Sequence, residues 1–378
     1  MAGLYIHIPF CRSRCVYCGF YSTTVLGLRQ KYVDALCREI IMRNEELGMR
    51  NDDDPIRTIY LGGGTPSQLT FPQLRQIFDT IYKYNKVATD AEITIECNPD
   101  DVTETFVEAL LTLPVNRISM GGQTFDDTRL RFLHRRHTAS QVVEAVKRLR
   151  KAGYTNISID LMYGFPDETL DDWHHDITQA LSLDVEHLSA YCLTIEEDTQ
   201  LYQMLQEGKI TETDEELERQ MYETLIDRLE AAGYEHYEIS NFARQGYRSR
   251  HNSCYWDGTP YFGIGAAAHS YDIRTRSWNV SDLHQYIDSI QRGQRPYEEE
   301  LLDDDTRYND AIIVALRTRE GLNLTTLSER HRSYCLRNAH SFLDDGLLTL
   351  DNSSQFLHLT RRGIFVSDMI MTKLIGDS

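Results

Sequence analysis

"LYIHIPFCRSRCVYCGFY", residues 4–21, runs from an apolar, β-prone segment straight into a loop that carries Cys11, Cys15 and Cys18. The cysteines are separated by three and then two residues, close enough for one small group to be held among them. What they hold is open at this point: a zinc knot, a disulfide scaffold, an iron–sulfur cluster, or nothing beyond packing. The pattern of strand followed by polar loop recurs. "RTIYLGGGT" (57–65), "EITIECNP" (92–99), "RISMGGQT" (117–124), "ISIDLMYGFP" (157–166) and "HLSAYCLTI" (187–195) are further strand candidates, and most end in glycine or polar residues. Between them stand amphipathic helical stretches such as QKYVDALCREIIMRNEEL, FPQLRQIFDTIYKY and ASQVVEAVKRLRKAG. Regular strand–helix–strand alternation predicts an α/β fold with a parallel sheet and right-handed crossovers. Six such units are two short of a closed eight-stranded barrel, which leaves a partial barrel or an open wound sheet. In both, ligands bind at the C-terminal ends of the strands, so the run of polar, glycine-rich ends reads as one site.

The chain has 378 residues, 41% of them apolar and 26% charged, enough for one large α/β domain and a smaller one. Its formal charge of −19 argues against a nucleic-acid or anionic-membrane surface, because such partners need Lys and Arg to displace counterions. No apolar run reaches the roughly 18 residues that a membrane span needs. "MAGLYIHIPF" lacks the basic start and cleavage site of a signal peptide, and it is not an Arg-rich transit segment. The chain therefore reads as cytoplasmic, a compartment in which eight cysteines do not make four disulfides. Cys37, Cys97, Cys192, Cys254 and Cys335 are scattered and read as packed small hydrophobes.

After residue 200 come a helical stretch (212–233), a glycine-rich section (251–271) and the acidic, non-periodic "RPYEEELLDDD" (295–305), which reads as a solvated linker. Beyond it, helices, a small hairpin and a last amphipathic helix suggest a winged-helix-like α+β module. Arg361, Arg362 and few other bases hardly make a groove-reading surface, so a structural or protein-contact role is expected in place of DNA binding.

Structural zinc sites are closed by four Cys or His ligands, so the three clustered cysteines are one short. His7 supplies a fourth only if it turns toward the loop from the first strand. A [4Fe–4S] cube also has four corners, and three thiolates leave one iron open to a small molecule. CxxxCxxC after a first strand, with GGGTP (62–66) after the second, resembles the radical S-adenosylmethionine (SAM) superfamily, in which the open iron chelates the amino and carboxylate groups of SAM. "YIHIPFC" (5–11) narrows the resemblance to the branch of oxygen-independent coproporphyrinogen III oxidase and its relatives. The resemblance covers the whole chain. It implies a partial (β/α)6 TIM-like barrel with an extension over residues 1–290, and a small C-terminal winged-helix-like domain over 300–378.

The same resemblance implies a [4Fe–4S] cluster on Cys11, Cys15 and Cys18, with SAM beside it. Tyr5, six residues before Cys11, matches the tyrosine that reaches SAM, and Tyr17 is placed near the adenine. Gly63, Gly64 and Thr65 match the loop that binds the SAM amino group through backbone carbonyls, where missing Cβ atoms permit close approach. Glu96 ends the third strand and can accept hydrogen bonds from SAM. Gln123, Arg135 and Asp160 follow at family spacing, and in the oxidase they surround a second SAM. Singly, each is an ordinary strand-end polar residue; in order along one rim they read as a site.

The oxidase carries a fourth cysteine two residues after the third, where this chain has Phe20, which can neither transfer a proton nor ligate iron. The oxidase also has a long N-terminal arm, whereas here four residues precede Tyr5. Both departures argue against porphyrinogen decarboxylation. "HNSCYW" (251–256) matches instead the HNxxYW motif of the haem chaperones, relatives of the oxidase. Haem iron takes an imidazole, thiolate or phenolate, with flat apolar surface against the macrocycle. The resemblance gives His251 to the iron and Tyr255 and Trp256 to the macrocycle, with Cys254 as a competing ligand and a hydrogen-bonded core histidine as the plain alternative. The expected function is a haem chaperone that binds a SAM-liganded cluster and hands haem, its cargo, to an acceptor apoprotein. A radical SAM enzyme acting on a tetrapyrrole and a structural metal protein are the alternatives. No catalytic residue, nucleic acid or transmembrane segment enters this reading; transient association with a membrane or protein stays open.

Overall fold

The period-two alternation of the first strand sorts its side chains between two environments. In β1 (Gly3–Ile8), Leu4, Ile6 and Ile8 enter the main hydrophobic core, while Tyr5 and His7 face the other way. The computed structural model describes residues 3–47 and 55–376. Five more parallel strands repeat the pattern: β2 (Ile56–Gly63), β3 (Val87–Cys97), β4 (Arg117–Gln123), β5 (Ile157–Tyr163) and β6 (His187–Cys192). They pair in chain order, each parallel to the next. The crossovers carry α1 (Arg29–Leu47), α2 (Phe71–Tyr84), α3 (Glu104–Leu110), α4 (Asp127–Phe132), α5 (Ala139–Lys151) and α6 (Leu170–Ser182). In α2, a Thr70–Gln73 capping box starts the helix, and Leu74, Ile77, Phe78 and Ile81 form the buried stripe. Burying each such side chain contributes about 1.5–3 kcal/mol, so the sheet's outer face and the helices hold each other.

The inner face is polar. Thr58, Glu92, Thr94, Arg117, Ser119, Ser158, His187 and Ser189 are buried there rather than solvated. Some of these groups are paired, as Ser158 Oγ is with His187 Nδ1 at 2.7 Å, whereas among the described residues Thr94 Oγ1 and Arg117 Nε and Nη1 are buried without partners, which is costly unless a ligand supplies them.

The chain then leaves the repeat. α7 (Gln200–Gln206) and α8 (Glu215–Ala231) precede β7 (Glu235–Glu238) and β8 (Asn241–Ala243), and β8 runs antiparallel beside β6. After α9 (Arg250–Asp257), β9 (Tyr261–Ile264) lies parallel to β1 at the opposite edge. β10 (His269–Tyr271) and β11 (Thr275–Asn279) follow; after α10 (Leu283–Gln291), β12 (Tyr297–Leu301) completes a sheet of twelve strands among the described residues. Strands β1 and β6 never meet, so the barrel is partial.

The acidic run at 295–305 is not a linker throughout. Residues 297–301 are β12, paired residue for residue with β11. All five side chains are exposed, which erased the alternation by which a half-buried strand is recognised. Glu298, Glu299 and Glu300 place charge on a sheet edge, a common guard against edge-to-edge pairing.

The C-terminal module comprises α11 (Asp304–Ala315), β13 (Leu322–Asn323), α12 (Glu329–Asp344), β14 (Leu348–Leu350), β15 (Phe356–Leu359), α13 (Arg361–Ile364) and α14 (Ser367–Leu374). Its strands form their own small sheet, and Ile312, Leu324, Cys335, Leu357 and Ile370 belong to a separate core. Backbone hydrogen bonds from Ile239 N to Arg317 O and from Arg319 N to Tyr237 O, 3.0 Å each, seat it against the barrel. Arg361 donates to Asp227 and to the Glu223 carbonyl of α8, so it ties the module to the preceding domain. Among the described residues no helix is long and apolar enough to cross a membrane.

Candidate functional site

The cysteine loop is pinned at its base and its tip. Cys11 N donates to Thr23 O at 2.9 Å and Thr23 N to Pro9 O at 2.6 Å, a bridge that closes the loop where it leaves β1. Val16 plugs into a small core with Leu133, Met162, Phe165 and Leu201, and Tyr17 packs beside it. Cys11, Cys15 and Cys18 are left half-buried and free. Cys11 Sγ lies 3.4 Å from Thr65 Oγ1, and Arg135 Nη1 donates to Cys15 Sγ at 3.6 Å. Burial raises the Cys11 and Cys18 thiols above their ordinary range, so binding them as thiolates releases protons. No three Cys, His, Asp or Glu side chains among the described residues converge on a single ion. A cube, unlike zinc, offers a separate iron to each thiolate. His7 is not free to complete a knot: Nδ1 lies 3.0 Å from Tyr5 Oη and Nε2 lies 3.1 Å from the Tyr21 carbonyl. Phe20 is 72% exposed and contributes nothing to the lumen.

Above β2, the Gly62–Gly64 turn lies against the cysteine loop. Gly64 N donates to Ile8 O at 2.9 Å, and a Cβ on Gly64 would sit 2.8 Å from that oxygen. Gly63 has φ +105°, and its Cβ would come within 2.4 Å of the His7 ring. Gly63 N donates to Glu96 Oε2 at 3.0 Å, and Tyr60 Oη donates to Glu96 Oε1 at 2.7 Å. Burial and the nearby Asp160 push the Glu96 carboxyl up to about 7 against these two hydrogen bonds. Burial likewise raises Asp160 to about 6, with Ser189, Arg117 and Arg135 opposing. Arg135 spans the rim through Nη2, which donates to Asn98 Oδ1 and Gly121 O at 2.8 Å. Gln123 sits at a register shift between β4 and β5 with φ +65°, a left-handed conformation that marks local strain at the rim. Among the described residues, Arg117 Nε and Nη1 and Arg135 Nε are buried without a hydrogen-bond partner.

These features fit the groups that the family resemblance implies. Three free thiols on one pinned loop suit a cube with an open corner. Two guanidiniums with unpaired donors, two half-buried carboxylates and a glycine cradle suit a zwitterion such as SAM. The structure brings Tyr5, Gly63, Gly64, Thr65, Glu96, Gln123, Arg135 and Asp160 to the lumen or its rim.

The 251–256 segment lies elsewhere. It is α9, whose first turn closes the N-terminal mouth of the barrel, opposite the cysteine loop. Gly3, Thr58 and Glu92 are in register there, at the start of β1, near the start of β2 and midway along the longer β3. The backbone N–H groups of Arg250 and His251 donate to the two Glu92 carboxylate oxygens at 3.0 Å each. His251 has no solvent exposure. Its Nδ1 lies 2.9 Å from Thr58 Oγ1 and its Nε2 lies 3.0 Å from Tyr255 Oη. Its ring stacks on Tyr60, and burial drives its pKa down to about 3, so it is neutral. A nitrogen so engaged meets an iron only after Tyr255 moves. Tyr255 and Trp256, by contrast, line a cavity of about 690 Å3 between α9, the β9–β11 extension and the C-terminal module.

Sequence reasoning passed over Arg117, Tyr60 and Asn98. An arginine opening an otherwise apolar strand and an asparagine within ECNP were the available signals. Tyr60, inside an apolar run, offered none.

A model of the radical SAM superfamily matches residues 5–180, and one of the HemN C-terminal domain matches residues 302–366. The heme chaperone HemW of Bacillus subtilis is 35% identical over 384 residues, spanning 100% of both chains. HemW of Lactococcus lactis is 32% identical over 99% of this chain and 97% of that one; HemW of Mycobacterium tuberculosis is 33% identical over 99% and 95%. Among solved structures, coproporphyrinogen III oxidase (HemN) from Escherichia coli superposes with a TM-score of 0.83 at 22% identity, covering 99% of this chain and 90% of that one. This likeness establishes the fold.

Proposed function

We infer, because this chain belongs to the HemW family of haem chaperones within the radical SAM superfamily, that it binds haem and hands it to an acceptor apoprotein. It binds a [4Fe–4S] cluster and SAM, with haem as cargo. Cys11, Cys15 and Cys18 hold the cluster. Tyr5, Gly63, Gly64, Thr65, Glu96, Gln123, Arg135 and Asp160 surround SAM, and Tyr17 covers its adenine. The cluster supplies an iron that the protein leaves unligated, at which SAM binds. Haem sits at the 251–256 segment, with Tyr255 and Trp256 as its flat wall and His251 behind Tyr255. The division at about residue 300 gives the barrel the cluster and leaves the C-terminal module as a docking partner for the barrel's far end. We place the protein in the cytoplasm, where a haem-accepting apoprotein meets it.

The observation that carries this reading is the presence on one chain of an open-cornered three-cysteine loop and the HNSCYW helix, with the exposed Phe20 where the oxidase has a cysteine. The test is anaerobic reconstitution with iron and sulfide, followed by separate assays for haem binding, 5′-deoxyadenosine and coproporphyrinogen consumption. Saturable haem binding without coproporphyrinogen turnover is expected. Turnover of coproporphyrinogen III with SAM and reductant would place the chain with the oxidases.

A further inference from the structure

The cavity beside α9 belongs to neither the cluster rim nor the lumen. One wall is the HNSCYW helix and the strands next to it; the other is α11 and the turn into β13. Its volume, about 690 Å3, lies within the range of about 300–1,000 Å3 found for cofactor and small-molecule sites. Its lining is unusually aromatic. Tyr237, Tyr255, Trp256, Tyr261 and Tyr271 all face it. Tyr255 and Tyr261 meet edge to face at 4.7 Å, and the Tyr261 and Tyr271 rings are 6.1 Å apart. Arg248, Arg276 and Arg307 also line it. Arg276 is held by Asp310 of α11, and Arg248 donates to Glu320 at 2.7 Å through Nη1 while Nε and Nη2 stay on Glu235 of β7, so carboxylates of the C-terminal module already occupy the cavity-facing side of these guanidiniums. A ligand that brings its own carboxylates can take those guanidiniums by exchange of like for like. A large flat ring system with two carboxylates therefore fits this lining.

We propose that this cavity is the haem cleft, that the C-terminal module forms half of it, and that an oxygen or sulfur from its lining, not the imidazole of His251, meets the iron. The inference rests on the haem-binding reading above and adds its location and ligand type. Tyr261 and Tyr271 offer phenol oxygens and Cys254 a thiol, and phenolate and thiolate are both established haem ligands. His251 is absent from the lining because Tyr255 stands between it and the cavity. His251 is thus a positioning residue: it holds the Tyr255 phenol and ties α9 to Thr58.

The test uses the full-length protein and haemin, followed at the Soret band and by hydrogen exchange. Haemin should protect amides in α11 and in 320–326 as well as in α9. Ala311→Trp, which puts an indole into the cavity, should weaken haem binding about tenfold or more, as overfilling a formed site does. The iron content of the reconstituted cluster should stay unchanged. The ferric spectrum should lack an imidazole signature in resonance Raman and electron paramagnetic resonance, and His251→Ala should leave the ligand type unchanged even if affinity falls. Should Ala311→Trp perturb folding, protection in the unaltered protein decides alone. Haem bound saturably, with no protection in 304–326 and an imidazole signature lost in His251→Ala, would overturn the cleft while leaving the haem reading intact. Failure of the unaltered protein to bind haemin would overturn both.

Discussion

Glu92 joins the barrel floor to the helix that carries HNSCYW, and replacing it isolates what that helix does. The carboxylate is 5% exposed and accepts from Arg250 N through Oε2 and from His251 N through Oε1, both at 3.0 Å. Glu92→Ala leaves two helix-terminal donors without their acceptors, at about 1–3 kcal/mol for each that stays buried. It also removes a negative charge from a helix N-terminus, about 0.3–1 kcal/mol. The Arg250 side is open enough for water to replace one acceptor, so the total is about 1–4 kcal/mol. Glu92→Gln keeps one acceptor oxygen and turns an NH2 toward the other donor, so it should cost roughly half as much. The assay is denaturant unfolding with hydrogen exchange, paired with haemin titration and iron analysis. Faster exchange throughout α9, weaker haem binding and full cluster content are expected. Unchanged unfolding would refute the capping argument. Fast exchange in α9 with undiminished haem affinity would refute the link between this helix and the cargo.

Cys11→Ala, Cys15→Ala and Cys18→Ala should each lose the brown chromophore and bound iron, whereas Cys37→Ala and Cys335→Ala should retain both; a full iron complement in Cys11→Ala would contradict the assignment. In the cluster-free protein, Glu96 and Asp160 have folded-state pKa values raised to about 7 and about 6 from ordinary values of 4.5 and 3.8. The folded state then holds these protons more tightly than the unfolded chain, so their contribution is most favourable at low pH and is lost as pH rises to those values. Glu96→Gln should therefore gain stability relative to the unaltered protein as pH rises from 4.5 to about 7; a constant difference would count against it. Phe20, 72% exposed, should change stability by no more than about 0.5 kcal/mol when replaced by cysteine, and Phe20→Cys should not oxidise coproporphyrinogen III in an anaerobic turnover assay.

Much of the barrel was legible because each strand alternates two environments and each helix carries a stripe. The strand ends at Ile8, Gly63, Cys97, Gln123, Tyr163 and Cys192 lie within or close to the segments expected from the sequence. Rim residues were legible for a chemical reason: glycines, amides and charges at strand ends have no packing role of their own. The 297–301 strand was hidden because both its faces are wet. His251 shows a different limit. The motif it belongs to suggested a ligand, whereas the helical spacing that lays Tyr255 over the His251 ring, between it and the cavity, is a contact that the motif does not announce. Only the pairing of Gly3, Thr58 and Glu92 reveals that the helix closes the end of the barrel opposite the cysteines.

On this reading cargo and cluster occupy different ends of one barrel. Haemin titration of the protein with Cys11, Cys15 and Cys18 all replaced by alanine tests it most directly. The prediction is a colourless apoprotein that nonetheless binds haemin with the stoichiometry of the unaltered protein and the same Soret maximum. Loss of haemin binding together with the cluster, in a variant that still folds, would contradict the claim and put the cargo at the cysteine rim.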